Sequence, residues 1–165
     1  MEQTDGNGNV KTFNYDVMGQ LRQVTSANGE QTQYNYNLVG NLIKTIDPTG
    51  NIKENTYDQL NRRIQTKDKS GNSTKSYYGP SGNLTKYVDR NGNTFTYEYD
   101  LRGNLIRKIS SDETTFFVVD SVGKRISMTD STGTTGYQYD PATEQLTRLT
   151  YPDGLTAEFN LTGQR

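Results

Sequence analysis

Apolar and polar residues alternate with a period of two in short runs along this chain. Phe13/Tyr15, Tyr34/Tyr36, Tyr97/Tyr99, Phe117/Val119 and Tyr137/Tyr139 stand at alternate positions with polar residues between them. That spacing turns both large side chains to one face of an extended strand. A second run follows each of the first kind, rich in aliphatic and β-branched residues, as in NLIKTID from Asn41, NLTKYVD from Asn83 and NLIRKIS from Asn104. No apolar stripe at i, i+3, i+4 survives past one turn, so helices are not expected. The pattern predicts an aromatic strand, a tight turn and an aliphatic return strand, written repeatedly.

The repetition has a fixed step. Gly8, Gly29, Gly50, Gly71 and Gly92 are 21 residues apart, and so are Tyr15, Tyr36, Tyr57, Tyr78 and Tyr99. A second glycine keeps the register at Gly19, Gly40, Gly82 and Gly103, with Asn61 standing in once. Beyond Gly103 the step shortens to about 20, with Gly123, Gly133, Gly154 and Gly163 as landmarks and Val119, Tyr139 and Phe159 in the aromatic position. The PATEQ stretch from Pro141 carries one extra residue where the glycine belongs. The count is about eight hairpin units, the last cut off at Arg165.

The turns carry their own signature. D-x-x-G begins at Asp5, Asp16, Asp47, Asp68, Asp89, Asp100, Asp120 and Asp130, closing both ends of the hairpins. An aspartate opening a type I turn accepts a hydrogen bond from the backbone two residues on. The glycine three residues later takes the left-handed conformation of a G1 bulge. Asn37 and Asn160 can replace aspartate in this role. The expected fold is all-β: tandem antiparallel hairpins forming one long sheet and a single array over 1–165. Twisted sheets rarely exceed about ten strands without curling, so the expectation includes a coiled or spiral course. Rings are expected to pack on rings along the array, and the end strands to be free edges where a second copy could pair.

Composition narrows the function. Only 30% of residues are hydrophobic and mean hydropathy is −0.93, values that taken alone would favour disorder. Twelve tyrosines at strict spacing argue for folding, because tyrosine buries a ring while its hydroxyl stays wet. Cysteine and histidine are absent, which removes disulfides, Cys/His zinc sites and histidine or cysteine catalysis. The net charge of −1 carries no footprint for nucleic acid. No apolar run is long enough to span a bilayer, and no signal peptide is read in this segment.

The phrases YDLRGNLIRKISSDE, YNLVGNLIKTIDPTGNIKENTYDQLNRRI and NGNTFTYEYDLRGNL resemble the YD repeat of bacterial Rhs proteins, insecticidal ABC-toxin shells and animal teneurins. The resemblance runs from Gly8 to Gly163. It implies a spiralling sheet of hairpins which, in Rhs and ABC-toxin proteins, closes into a shell around a cytotoxic C-terminal polypeptide. In teneurins the shell is extracellular and adhesive. It also implies secretion or display at a bacterial cell surface, with the rest of a longer shell and its enclosed toxin as partners. The core aspartyl protease region and the variable toxin tip have no counterpart here.

Sharper chemistry competes with structural roles at several motifs. Paired carboxylates serve hydrolases, but each repeating aspartate here has its turn glycine three residues on. DGNGN from Asp5 and DRNGNT from Asp89 echo calcium loops yet lack the EF-hand glycine and terminal glutamate. D-x-x-G without a phosphate loop does not indicate a GTPase. The densest cationic run, NRRIQTKDK from Asn61, reads as a solvated face. The leading reading is a non-enzymatic wall segment without cofactor or metal. Its working residues are the aromatic positions (Phe13, Tyr15, Tyr34, Tyr36, Tyr57, Tyr78, Tyr97, Tyr99, Tyr137, Tyr139) and the turn residues. The rival reading is a repeat module whose tyrosine pairs stack on cell-wall or surface glycans.

Overall fold

The computed structural model describes residues 1–159; the Asn160 turn and the Gly163 landmark lie outside the described residues. Sixteen antiparallel strands form one open sheet in which spatial order equals chain order, and no helix occurs among the described residues. The strands are β1 Glu2–Thr4, β2 Val10–Tyr15, β3 Leu21–Thr25, β4 Gln31–Tyr36, β5 Leu42–Ile46, β6 Ile52–Tyr57, β7 Arg63–Asp68 and β8 Ser73–Tyr78. They continue as β9 Leu84–Val88, β10 Thr94–Tyr99, β11 Leu105–Ile109, β12 Thr114–Val119, β13 Arg125–Asp130, β14 Gly133–Tyr139, β15 Leu146–Thr150 and β16 Thr156–Glu158. Two compact units are distinguishable: Met1–Ser76 with Val88–Gly92, and Tyr77–Tyr87 with the chain from Asn93 on.

Strands end where the sequence pattern places them. Tyr15, Tyr36, Tyr57, Tyr78, Tyr99, Val119 and Tyr139 are each the last residue of their strand. The two kinds of connection differ in register. In the hairpins whose turn follows the tyrosine, pairing shifts by one residue: Asn14 faces Gln23 but Tyr15 faces Leu21, leaving Arg22 without an opposite partner. The same shift sets aside Ile43, Ile64, Ile106, Ile126 and Thr147. At the opposite ends the ladders run in constant register, as in Lys44↔Glu54, Thr45↔Lys53 and Ile46↔Ile52. The tyrosine-end hairpins thus hold two irregularities, the turn glycine and a bulge in the return strand, of which only the first was expected. Bulges of this kind increase local twist and bend the strand.

No described residue is fully buried. Within each unit the sheet is a single layer, stabilised by its ladders and by half-buried cross-strand pairs. Such pairs contribute roughly 0.2–1 kcal/mol each. In the first unit Phe13 faces Val24 and Tyr34 faces Thr45; in the second, Phe117 faces Met128 and Tyr137 faces Leu149.

The expected ring-on-ring layer is corrected by the structure. Tyr87 and Phe95 stand 6.2 Å apart, but several other rings are covered by cations. Arg22 lies 5.6 Å from the Tyr36 centroid, Lys124 5.4 Å from Tyr139 and Arg125 4.1 Å from Phe117. The reason is spacing. Aromatic strands alternate with return strands, so rings of successive hairpins are about 10 Å apart. The strand between supplies the long cationic side chain that bridges the gap.

Candidate functional site: the tyrosine-turn margin

The turns that follow the tyrosines fall on one margin of each unit, and most share one plan; the turn opening at Gly79 keeps the backbone bonds without a side-chain acceptor. Asp16 shows the plan. Its backbone N–H donates to Gln20 O (2.9 Å), and Gly19 N–H donates back to Asp16 O (3.0 Å). Its Oδ1 accepts from the N–H groups of Met18 and Gln20, both at 2.9 Å. Its Oδ2 accepts from Arg22 Nε at 2.8 Å.

Asp58 and Asp100 repeat this, with Arg62 and Asn104 as the side-chain donors. Asp120 binds the N–H groups of Val122 and Lys124. Asn37 binds those of Val39 and Asn41. The turn glycines of this margin, Gly19, Gly40, Gly82, Gly103 and Gly123, have φ between 77° and 90°. Asn61 and Glu144 take the same place at φ 60° and 59°. The insertion after Asp140 lengthens that turn by one residue, so Glu144 N–H closes onto Asp140 O at 2.9 Å.

The carboxylates are thereby committed. Donated hydrogen bonds favour the charged form, and Asp16, Asp58 and Asp100 are all held below the ordinary aspartate range. The main causes are the Gln20 N–H, the Arg62 side chain and the Asn104 side chain respectively. Among the described residues, no three carboxylates converge on a point where a metal ion could sit.

The tyrosine hydroxyls tie hairpin to hairpin. Between β5 and β6 the ladder stops at Lys44↔Glu54, which leaves the Leu42 carbonyl beyond the last pair. Tyr57 Oη donates to it at 3.0 Å and Asn55 Nδ2 at 2.9 Å. Tyr99 Oη reaches Leu84 O and Tyr139 Oη reaches Arg125 O, both at 2.9 Å. The rings therefore cap backbone acceptors that the ladder does not pair. Between successive turns lie open clefts. One of about 520 Å³ is lined by Pro80, Asn83, Tyr97, Tyr99 and Arg102; another of about 540 Å³ is lined by Lys124, Tyr137, Tyr139 and Glu144.

A second set of contacts runs from turn to turn. Within each unit the residue just after a turn glycine packs on the glycine position of the next hairpin. A Cβ on Gly40 would stand 3.3 Å from Gln20 Nε2, on Gly103 3.5 Å from Asn83 Nδ2, and on Gly123 2.8 Å from Asn104 Oδ1. Where glycine is replaced, the new side chain bonds the same neighbour. Asn41 Nδ2 donates to Asn61 Oδ1 at 2.8 Å, and Lys124 Nζ pairs with Glu144 Oε2 at 3.1 Å.

The remaining predicted turn residues lie on the opposite margin. Asp47/Gly50, Asp68/Gly71 and Asp89/Gly92 build the same type of turn, and Gly29 builds it with Ser26 at the first position. Asp130/Gly133 differs: Gly133 pairs directly with Asp130 as the first residue of β14, at φ 126°, with no glycine bulge. Pro152 packs against it; a Cβ there would come within 2.7 Å of the proline ring.

Sequence reading missed the second acceptor bond to the residue four positions on, and the asparagine that often completes it. The signal was present as D-x-x-G-N at Asp5, Asp47, Asp68, Asp89 and Asp100. It also missed the turn at Ser110–Glu113, which has no glycine and is closed by Ser110 N–H to Glu113 O at 2.8 Å.

Comparisons with known proteins agree with this geometry. The teneurin YD-shell family matches residues 1–142. No curated protein matches the chain. Among solved structures, the chain is similar to the TcdB2-TccC3 complex without its hypervariable C-terminal region, at TM-score 0.59 and 16% identity, over 95% of this chain and 11% of that one. It is also similar to a chain of the Tc holotoxin pore of Photorhabdus luminescens, at TM-score 0.51 and 21% identity, over 96% of this chain and 9% of that one. The chain thus spans about a tenth of the length of these structural relatives.

Proposed function

The chain belongs to the teneurin YD-shell family, and from that premise we propose that it is a non-catalytic segment of a wall that encloses a toxin or effector polypeptide. The partners in this reading are further YD repeats of a longer shell and the cargo they surround, in a secreted or cell-surface bacterial protein. The observation that carries it is the tyrosine-turn margin. Within each unit, tyrosine hydroxyls and turn-to-turn contacts join hairpin to hairpin, so the single layer extends by repetition without needing a closed core. The fold-level likeness to toxin complexes supports the same reading.

The glycan reading needs tyrosine rings in a row on an open face. In the second unit Tyr97, Tyr99, Tyr137 and Tyr139 are half-buried, and the hydroxyls of Tyr99 and Tyr139 are spent on backbone acceptors. These observations favour the wall. The test starts from the natural reading frame around this segment, which should continue into more YD repeats and an unrelated C-terminal region. In that full-length protein the C-terminal region should resist protease until the shell is unfolded. Cleavage at equal rates in the native and unfolded shell would overturn the reading.

A further inference from the structure

One turn of the tyrosine margin lacks the group around which its sister turns are built. At Asp16, Asn37, Asp58, Asp100 and Asp120 a side-chain oxygen accepts from the N–H groups two and four positions on. The turn that follows Tyr78 opens with Gly79 instead and carries Pro80 and Ser81 at its tip. Its backbone closure is intact: Gly79 N–H donates to Asn83 O at 2.9 Å and Gly82 N–H to Gly79 O at 3.0 Å. Among the described residues, however, no acceptor meets the N–H groups of Ser81 and Asn83. The place of the missing oxygen is open, since the cleft of about 520 Å³ begins at Gly79, Ser81 and Asn83 and reaches Tyr97, Tyr99 and Arg102. The Asn83 amide departs from the plan as well. Its counterpart Asn104 donates Nδ2 inward to Asp100 Oδ2 and presents Oδ1 to the Gly123 position. Asn83 presents Nδ2 outward, 3.5 Å from a Cβ built on Gly103.

We infer that this gap is a binding site for an external carboxylate, one oxygen of which takes the place of the missing side-chain oxygen. Three features select that ligand. Backbone N–H groups of a turn whose third position is left-handed, here Gly82 at φ 85°, form a concavity suited to an anion. The Asp100 turn shows how a carboxylate fits such a concavity. One oxygen accepts from both N–H groups at 2.9 Å, and the other accepts from an amide Nδ2 at 2.9 Å. Turning the Asn83 amide over supplies the same third donor. The cleft also holds the cation of Arg102, while Asp100, the charge that would oppose an anion there, is already engaged by its own three donors. The cleft is larger than a carboxylate, so a small acid and an acidic side chain of another polypeptide both fit. The site stands on the Gly79 turn and does not rest on the wall reading.

The test is a titration of the isotope-labelled chain with sodium acetate, against sodium chloride at matched ionic strength, read at the backbone amide resonances of Ser81 and Asn83. A few hydrogen bonds to a small ion give weak binding, with a dissociation constant on the order of 10–100 mM. Both resonances should move saturably with acetate and not with chloride. Gly79→Asn puts a neutral side-chain oxygen into the gap, as Asn37 does in its own turn, and leaves the net charge unchanged. A Cβ on Gly79 would stand 3.1 Å from Thr85 Cγ2. The Asn37 and Asp100 turns hold the larger Ile43 and Ile106 at the position of Thr85, so the variant should fold. It should weaken acetate binding about tenfold or more and raise the melting temperature. N-acetyl-aspartate amide identifies the source. Binding about fivefold tighter than acetate assigns the site to an acidic side chain, and equal binding assigns it to a small acid; either result upholds the carboxylate. Resonances that move no further with acetate than with chloride overturn the proposal in the parent alone, whether or not the variant folds. Undiminished binding in Gly79→Asn overturns it too, placing acetate elsewhere.

Discussion

The two margins of the sheet are an internal comparison, since both use an Asx-type turn with a left-handed third position. At Asp47 the turn is self-sufficient. Thr49 and Asn51 satisfy both carboxylate oxygens, the ladder continues in register, and no neighbouring atom lies within 4 Å of a Cβ built on Gly50. At Asp100 the same turn is embedded in its neighbours. A return-strand bulge follows it, Asn83 lies against Gly103, and the Tyr99 ring crosses to Leu84. The Asp47 turn closes its own hairpin; the Asp100 turn also joins its hairpin to the neighbours. The difference teaches that identical turn phrases contribute differently according to what the next repeat places beside them.

Removing the joining elements should have the largest effect. Tyr99→Ala takes away a half-buried ring and leaves the Leu84 carbonyl without this donor, for an expected loss of roughly 2 kcal/mol. Tyr99→Phe removes only the hydroxyl and should cost roughly 1 kcal/mol. Urea titrations followed by far-ultraviolet dichroism measure both, and equal effects of the two substitutions would show that the ring itself contributes nothing.

Alanine in place of the turn glycines sharpens the comparison at a smaller scale. A Cβ at Gly50 meets open space, so Gly50→Ala incurs only the left-handed backbone cost, about 1 kcal/mol. At Gly123 the same Cβ would also stand 2.8 Å from Asn104 Oδ1. Gly123→Ala should therefore be the more damaging of the two, by roughly 0.5–1 kcal/mol in the same titration. Asn104→Ala alone also loses the bond to Asp100, so the excess is read against that background: there Gly123→Ala should cost no more than Gly50→Ala, and an undiminished cost would refute the turn-to-turn contact.

The smallest expected effect is electrostatic and belongs to the free margin. Hydrogen bonds, above all from the Thr49 side chain, hold the Asp47 carboxyl at about 2, below its usual 3.8. The folded state therefore favours the carboxylate. The resulting stabilisation is fully present above the unfolded value and is lost as pH falls through about 2. Asn37 already performs the same turn without a titratable group. Asp47→Asn should leave the melting temperature at pH 7 nearly unchanged and make its decline between pH 4 and pH 2 shallower (window from the carboxyl shift). A decline as steep as the parent's would show that this carboxylate carries none of the acid sensitivity.

The strands and turns of this protein were legible because each is specified within a few residues. Alternating rings define an extended segment, and Asp with Gly three positions later defines where it reverses. Tyr15, Tyr36, Tyr57, Tyr78, Tyr99 and Tyr139 accordingly terminate their strands. Substitutions were harder to read. Asn61 is identifiable as a glycine replacement from its register, whereas its bond to Asn41 depends on a residue twenty positions away.

What the sequence determined by itself is local and periodic: hairpin length, strand order and turn type, since a short antiparallel connection leaves neighbouring strands little choice but to pair. What only the tertiary structure decided is what each ring and each tip meets. Rings two strands apart cannot touch, so cations such as Arg22 and Arg125 cover them instead. Ladders that stop short leave carbonyls for tyrosine hydroxyls to cap. The exposure of Val17 and Leu38 follows from their place beyond the last ladder bond, where the sheet has no further strand to cover them. These outcomes depend on distances between repeats, and one repeat read alone does not contain them.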